Sequence, residues 1–511
     1  MTFYDKLSSS AFFSPKALLL ASLILVLGFG QVVERIKSGP TGCHAWRQAD
    51  GASITRQFSQ SDNYSLFQPK AYNLAGKEGR MATELPVTYW LAGQWSRVFG
   101  YSRAWLKVLH FSIFIIGIYF FYLFCKLLIG NAYLALLPPI FVITSPLLVY
   151  YGNNTLPNVP ALGFVLIAWW SFWKYLKGDG SYRPLWIAAI TLSIGILLKA
   201  SEAIHLVAMI STLIIGHLFF YKGISFQWST RRGVTYILWF AAISIPFVLW
   251  LMYANNYNEL YGNKMNLSGI LPIWEMDEVE KAASWRGLTV RFFKRMMHRP
   301  LWWVFAAMLI SFILNPKTYK SLFNWSVFIL LLGSWMYILL FYKVFYSHDY
   351  YLVTGLPALM FFTVAWLKLY SIWLTSQKVR WITLTFCIGL FAYSLSYLDQ
   401  EITTYYSYPD VNPALYDFEP ALREMGVGRD QKILAIPDYS PNISLFYSNN
   451  IGHTDYFYSS RKSGDLNYLY NQGVRYLVAI DPQVINDDMR TRLGPILGVH
   501  RGIEVYPILS E

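Results

Sequence analysis

Residues Ala104 to Phe124 read AWLKVLHFSIFIIGIYFFYLF, an apolar run whose basic residues, Lys107 and His110, both lie near its start. About 20 such residues cross the hydrocarbon of a bilayer as an α-helix. A helix is demanded there because the segment must satisfy its own backbone hydrogen bonds. Runs of the same kind recur throughout the chain. One precedes it at Ala17–Val33. Ala132–Val149, Val159–Trp173, Leu185–Leu198, Ala203–Tyr221 and Val234–Tyr253 follow, and then Leu301–Leu314, Leu322–Tyr342, Tyr351–Leu367 and Trp381–Leu398. Together they predict a mostly α fold, a polytopic transmembrane bundle of about eleven spans.

Composition agrees with that reading. Hydrophobic residues make up 55% of the 511-residue chain and charged residues 14%, against about 25% charge in ordinary soluble domains. Aromatic residues reach 18%, as suits a chain with many rings at membrane interfaces. The net charge of +13 is unevenly placed. From Asp399 to Glu511 there are 15 acidic and 9 basic residues, a net of −6, so the first 398 residues carry +19. That excess sits mostly between apolar runs, which makes membrane lipids the expected partner and argues against nucleic acid. Cys43, Cys125 and Cys387 have no metal-type spacing and offer no disulfide framework.

The basic residues also orient the chain. With the N-terminus in the cytoplasm, the inner connections hold Lys126, then Lys174, Lys177 and Arg183, then Lys222, Arg231 and Arg232, then Lys317 and Lys320, and last Lys378 and Arg380. The outer connections near Asn153 and Ser201 are poor in lysine and arginine, as the positive-inside rule requires. Residues 1–398 then form the membrane body. Residues 34–103 and 254–300 are its large outer loops, and 399–511 follow as an extracytoplasmic domain. Pro86 to Phe99 is too short to span and reads as an interfacial or re-entrant helix. Met276 to Lys294 reads as an amphipathic surface helix. In the tail, β-like runs at Lys432–Ile436, Arg475–Ile480 and Ile503–Ile508 alternate with helix-compatible stretches, predicting a small α/β domain.

The polar residues that can carry chemistry collect on the outer side. The densest group is His44-Ala45-Trp46-Arg47-Gln48-Ala49-Asp50, followed by Thr55 and Arg56. An aspartate there can take a proton from a hydroxyl, and Arg47 or Arg56 can hold it ionised or meet a phosphate. On the residues alone, an Asp50 that simply pairs with an arginine in a folded loop is the commoner arrangement. Glu84 precedes the short apolar stretch, Lys199 ends an apolar run, and His348-Asp349-Tyr350-Tyr351 opens a late one. Ionisable groups at helix ends often only reach for the interface. Their collection on one face favours a task.

The string HAWRQAD after a first apolar run, a following Glu84-Leu85-Pro86 turn, and HDYYLVTGLP from His348 resemble the protein O-mannosyltransferase and aminoarabinose transferase superfamily, membrane glycosyltransferases of the GT-C fold. The resemblance covers the membrane body and, loosely, the tail. It implies a polyprenyl-phosphate-linked sugar donor and an inverting transfer on the periplasmic side of a bacterial inner membrane. Glycolipid, glycan or protein acceptors all remain open. It implies Asp50 as the catalytic residue, Glu84 as the conserved loop glutamate, Lys199 as the donor-phosphate lysine and His348 as the late-helix polar residue. On the residues themselves, Arg47, Arg56 and His348 would join Lys199 as donor-phosphate ligands. Glu84, His44, Asn158 and Tyr351 would position acceptor and sugar. Two positions depart from many relatives: Asn158 stands where a second acidic residue is found, and Leu85 where a lysine follows the glutamate. No cofactor is required by these residues, although some relatives hold a divalent metal near the glutamate.

A lipid-phosphate sugar carries its own leaving group, so one essential carboxylate suffices, unlike the pair that glycoside hydrolysis needs. The competing class is a lipid or glycan transporter or flippase. It would place polar or helix-breaking residues near the midplane and show repeated halves, neither of which is visible here.

Overall fold

The computed structural model describes residues 14–60, 65–75, 77–220, 229–263, 269–371, 377–456 and 463–510. Tyr221 and Lys222, named above, lie outside the described residues. The chain divides into two compact units. One comprises Met1–Arg35, His110–Trp250 and Gly269–Thr404; the other comprises Ile36–Leu109, Leu251–Ser268 and Tyr405–Glu511.

Helices overlie all eleven apolar runs. Among the described residues seven are long and apolar enough to cross a membrane, or up to nine if each of two bent pairs is one span. The seven are Ala104–Ile129, Asn158–Lys177, Ala200–Phe219, Thr230–Leu260, Leu322–Leu340, Asp349–Tyr370 and Trp381–Tyr406. The bends have local causes. Leu134–Ile143 and Pro146–Gly152 meet at 66°, where Pro146 lacks the N–H that would continue the ladder. Glu278–Met296 and Arg299–Leu314 meet at 97°, again with a proline, Pro300, in the first turn beyond the corner. Pro15–Phe29 and Arg183–Leu198 are apolar but shorter.

Asn158–Lys177 is the central helix of the first unit, with Val159, Leu162, Leu166, Trp169 and Trp173 buried. Its Gly163 meets Gly117 of Ala104–Ile129 so closely that a Cβ on Gly117 would stand 2.5 Å from the Gly163 Cα. Small residues are what allow membrane helices to approach this far. Thr230–Leu260 is the opposite case. Ile237, Leu238, Ile245 and Leu249 are exposed along it, an apolar surface suited to lipid and not to water. At one end of the bundle, Lys177 donates to the Leu127 carbonyl at 3.5 Å, so the basic ends of two spans lie together. The segment read as an amphipathic surface helix is helical over Glu278–Arg286, passes through a π turn at Gly287–Phe292, and ends as Phe293–Met296.

The second unit is built on a five-stranded sheet of β1 (Lys432–Ile436), β2 (Gly452–Thr454), β3 (Val474–Ala479), β4 (Gly498–His500) and β5 (Ile503–Pro507), in the order β2-β1-β3-β5-β4. The first three are parallel; β5 runs antiparallel to β3 and β4. The three β-like runs of the sequence become β1, β3 and β5. β2 and β4 are three-residue strands too short to show a period. Alternation sorts the side chains onto two faces. Ile433, Ala435, Val478, Ile503 and Val505 enter one core, while Leu434, Ile436, Leu477 and Tyr506 enter the other with Leu466 and Leu469 of Ser463–Asn471.

The stretch carrying HAWRQAD is a helix, Ala45–Gln60. Its Ala45, Ala49 and Ala52, spaced for one helical face, belong to the first of those cores with Phe418, Phe446 and Tyr447. Its Ile54 and Phe58 pack elsewhere, with Tyr89 and Ala92 of Val87–Phe99. The latter helix is the expected short apolar one. It exposes Leu91, Trp95, Val98 and Phe99, the side an interfacial helix turns to lipid.

Candidate active site

The helix Ala45–Gln60 is fixed at its start by polar bonds from flanking segments. The backbone N–H of Ala45 donates to Asp410 at 3.3 Å, a carboxylate at the positive end of the helix. Gln48 turns back, its amide donating to the carbonyls of Thr41 at 2.7 Å and Cys43 at 3.1 Å. His44 adopts φ 58° just ahead of the helix.

One turn further, Asp50 is fully buried. Its Oδ1 accepts from the side-chain amide of Asn442 at 2.8 Å, and its Oδ2 lies 3.5 Å from Arg47. The Arg47 guanidinium spends its shorter bonds on Glu84, at 2.7 and 2.8 Å to the two oxygens. Tyr89 donates to the same carboxylate at 2.6 Å. Burial pushes the Asp50 carboxyl up to about 6, with Glu84 adding to it, while Arg47 and the Asn442 hydrogen bond act in the opposite direction. Burial likewise holds the Tyr89 hydroxyl well above its usual range. The result is a carboxylate poised to exchange a proton near neutrality.

Asp50, Arg47 and Glu84 therefore form one group. Arg56 does not join them. It donates to Glu419 at 2.8 Å and to the Phe446 carbonyl at 3.3 Å, with Tyr101 stacked 4.8 Å away. Among the described residues no group of three or more His, Cys, Asp or Glu side chains could hold a metal ion. Glu84 does not fit a metal in this arrangement, because a guanidinium already spans both its oxygens.

The remaining candidates lie in the other unit. The helix Arg183–Leu198 ends at Lys199, whose backbone is extended before a short turn begins Ala203–Phe219. The Lys199 ammonium sits 4.4 Å from the centre of the Tyr351 ring and 5.9 Å from that of Tyr350, within the range of cation–π attraction. The His348 ring stands nearly perpendicular to both tyrosines, at 5.4 and 6.2 Å. Asn158 donates to the Tyr350 carbonyl at 3.2 Å. Lys199, His348, Tyr351 and Asn158 thus form a second group.

Several buried polar residues near these groups were given no role by the sequence. Asp349 is fully buried between Tyr151, which donates to it, and Arg295 at 2.7 Å. Its place beside His348 was the available signal. Glu202, also buried, accepts from Thr354 at 2.7 Å and lies 3.2 Å from His205 Nε2. Trp169 can only donate, and it donates to His205 Nδ1 at 3.2 Å, so the imidazole proton belongs on Nε2, facing Glu202. Asn442 closes the turn-like stretch Pro437-Asp438-Tyr439-Ser440-Pro441-Asn442, which the sequence offered as an acceptor contact or a folded turn, but nothing in the sequence joined it to Asp50, 392 positions away.

No family model matches the sequence, and no curated protein does. Solved structures match in fold. The structure of ArnT from Cupriavidus metallidurans bound to undecaprenyl phosphate superposes with a TM-score of 0.59 at 12% identity, covering 98% of each chain. ArnT from the same organism in the apo state gives 0.56 at 12% identity, over 96% of this chain and 97% of that one. The Archaeoglobus fulgidus oligosaccharyltransferase in the apo form gives 0.55 at 10% identity, over 89% of this chain and 69% of that one. The GT-C fold expected from HAWRQAD and HDYYLVTGLP is the fold found, with its helical membrane body and small terminal sheet.

Proposed function

We propose that this protein is an inverting glycosyltransferase that moves a sugar from a polyprenyl-phosphate donor to an acceptor hydroxyl on the periplasmic side of a bacterial inner membrane. The observation that carries the reading is Asp50: a buried carboxylate with its carboxyl at about 6, hydrogen-bonded at one oxygen and loosely paired at the other. The fold shared with an ArnT crystallised with undecaprenyl phosphate supports a lipid-phosphate donor. The basic connections support the orientation.

In this reading Asp50 is the general base. The acceptor oxygen attacks the anomeric carbon while its proton passes to Asp50 Oδ2. The bond from that carbon to the phosphate oxygen breaks, and the electron pair leaves with the lipid phosphate. Glu84 keeps Arg47 in place beside the base and, with Tyr89, forms the wall along which the acceptor is oriented. Roles for Lys199 and His348 at the donor phosphate, and for Tyr351 and Asn158 around the sugar, rest on the family resemblance and the chemistry of those side chains. Arg56 is better assigned to tying its helix to Glu419 than to the phosphate. Residues 1–398 supply the membrane body and 399–511 the outer domain.

The test is release of undecaprenyl phosphate from a panel of undecaprenyl-phosphate sugars by the purified full chain, with lipid, glycan and peptide acceptors. Release should need an acceptor, fall by about 10²-fold or more in Asp50→Asn, and decline on the acid side with a midpoint near 6. Near-normal release by a folded Asp50→Asn protein would sink the assignment. Movement of lipid between leaflets without any release would establish the transporter instead.

A further inference from the structure

We infer that Asn442 is a positioning residue for the transfer, holding one oxygen of Asp50 so that the other is presented to the acceptor hydroxyl. This rests on the reading of Asp50 as the base.

Asn442 is fully buried, and its amide has one possible orientation. Its Oδ1 accepts from the backbone N–H of Asn73 at 3.0 Å, so its Nδ2 must be the atom that donates to Asp50. Reversing the amide would set an oxygen against a carboxylate and an NH₂ against an N–H, two repulsive contacts. The loop carrying it is built beforehand. The Asp438 carboxylate accepts from the N–H of Ser440 and Ser444, each at 2.8 Å, and from the Ser440 hydroxyl at 2.6 Å. Ser440 Oγ in turn accepts from Ile443 N–H at 2.9 Å. Asn73 Nδ2 donates to the Pro441 carbonyl at 2.7 Å. None of these bonds depends on Asp50. They deliver a fixed donor to one of its oxygens, and a donor so prepared need not reorganise during the reaction.

The other oxygen is bound more loosely, at 3.5 Å from Arg47, whose strong bonds are on Glu84. The charged and titratable groups facing Asp50 are Arg47 on its own helix, Glu84 and Tyr89 from the adjoining segment and helix, and Tyr456 beyond β2. Asn442 is the neutral donor among them. It favours the ionised form without forming the tight pair that would quench a base.

The experiment uses the full-length protein with whichever undecaprenyl-phosphate sugar the wild type consumes. Asn442→Ala should lower kcat about tenfold with KM nearly unchanged, and should move the acid limb of the pH–rate profile up by about one pH unit. Asn442→Asp retains the acceptor for Asn73 and sets a like charge against Asp50, so its limb should move further. Should Asn442→Ala fail to fold, Asn442→Asp carries the test. A parallel readout needs no turnover: the pH dependence of thermal unfolding between pH 4 and 8 should shift upward in Asn442→Asp, and the shift should shrink when Asp50→Asn is added, leaving only the titration of the new carboxylate. Wild-type kcat and pH limb in both variants, beside an inactive Asp50→Asn, would overturn this role and leave the base assignment standing. An active Asp50→Asn would overturn both. If no donor is consumed, an unfolding profile unchanged in Asn442→Asp would by itself overturn the coupling to Asp50.

Discussion

At the residue scale the informative feature of Asp50 is its cost. An ordinary aspartate titrates near 3.8, and burial raises this one to about 6. The folded state therefore binds a proton that the unfolded chain has already lost, and stability falls as pH rises through that window. A displacement of about two pKa units corresponds to roughly 3 kcal/mol above pH 6. Asn at this position can still accept from Asn442 and carries no charge to bury. Asp50→Asn should thus melt higher than the wild type at pH 8 in detergent, with the gap narrowing towards pH 4. A wild type equally or more stable at pH 8 would mean that the site does not strain its carboxylate. The Arg47–Glu84 pair shows the same economy: the cation lowers the burden on Asp50 while its short bonds go elsewhere.

At the scale of elements, the placement of Asp50 depends on a helix packed on two sides. Ala45, Ala49 and Ala52 face one core, and Ile54 and Phe58 another. The second contact is close because Gly93 has no side chain. A Cβ there would stand 2.6 Å from the Phe58 Cβ and 3.0 Å from the Thr55 carbonyl oxygen. Gly93→Val should therefore separate the two helices, cost about 1–3 kcal/mol, and displace Glu84 and Tyr89 from Arg47. Lowered thermal stability together with lowered turnover is the expected result. Gly333→Ala is the control, since nothing lies within 4 Å of a Cβ at that position. It should melt like the wild type or slightly higher, because alanine favours a helix interior.

At the scale of the whole molecule, the tail is structurally joined to the segment around HAWRQAD. The N–H of Gly452 at the start of β2 donates to the Tyr72 carbonyl at 3.0 Å, and the N–H of Leu74 donates back to Gly452 at 2.8 Å. Tyr72 also donates to Asn449 at 2.6 Å. Removing residues 405–511 would expose the alanine face of Ala45–Gln60 and take from the Tyr72 carbonyl and the Leu74 N–H these Gly452 bonds. A chain ending at Thr404 should lose monodispersity on size-exclusion chromatography in detergent, and should lose turnover although Asp50 is retained. A well-behaved, active truncation would show the tail to be dispensable.

The sequence by itself determined the solvent, the helical membrane body and the three longer strands, because burying apolar residues at period 3.6 or 2 is a local property of the chain. It also singled out Asp50, Arg47 and Glu84 as candidates, through a dense polar string and its resemblance to a family motif. That HAWRQAD is helical was less legible: its alanines and glutamine favour a helix, but they show no apolar stripe until the tail is there to receive them. Asn442, 392 positions from Asp50, and Asp349 with Arg295, 54 positions apart, were decided only by tertiary structure. Hydrogen bonds between residues far apart in the chain leave no periodic trace, and a buried polar group acquires meaning only from the partner that folding brings to it.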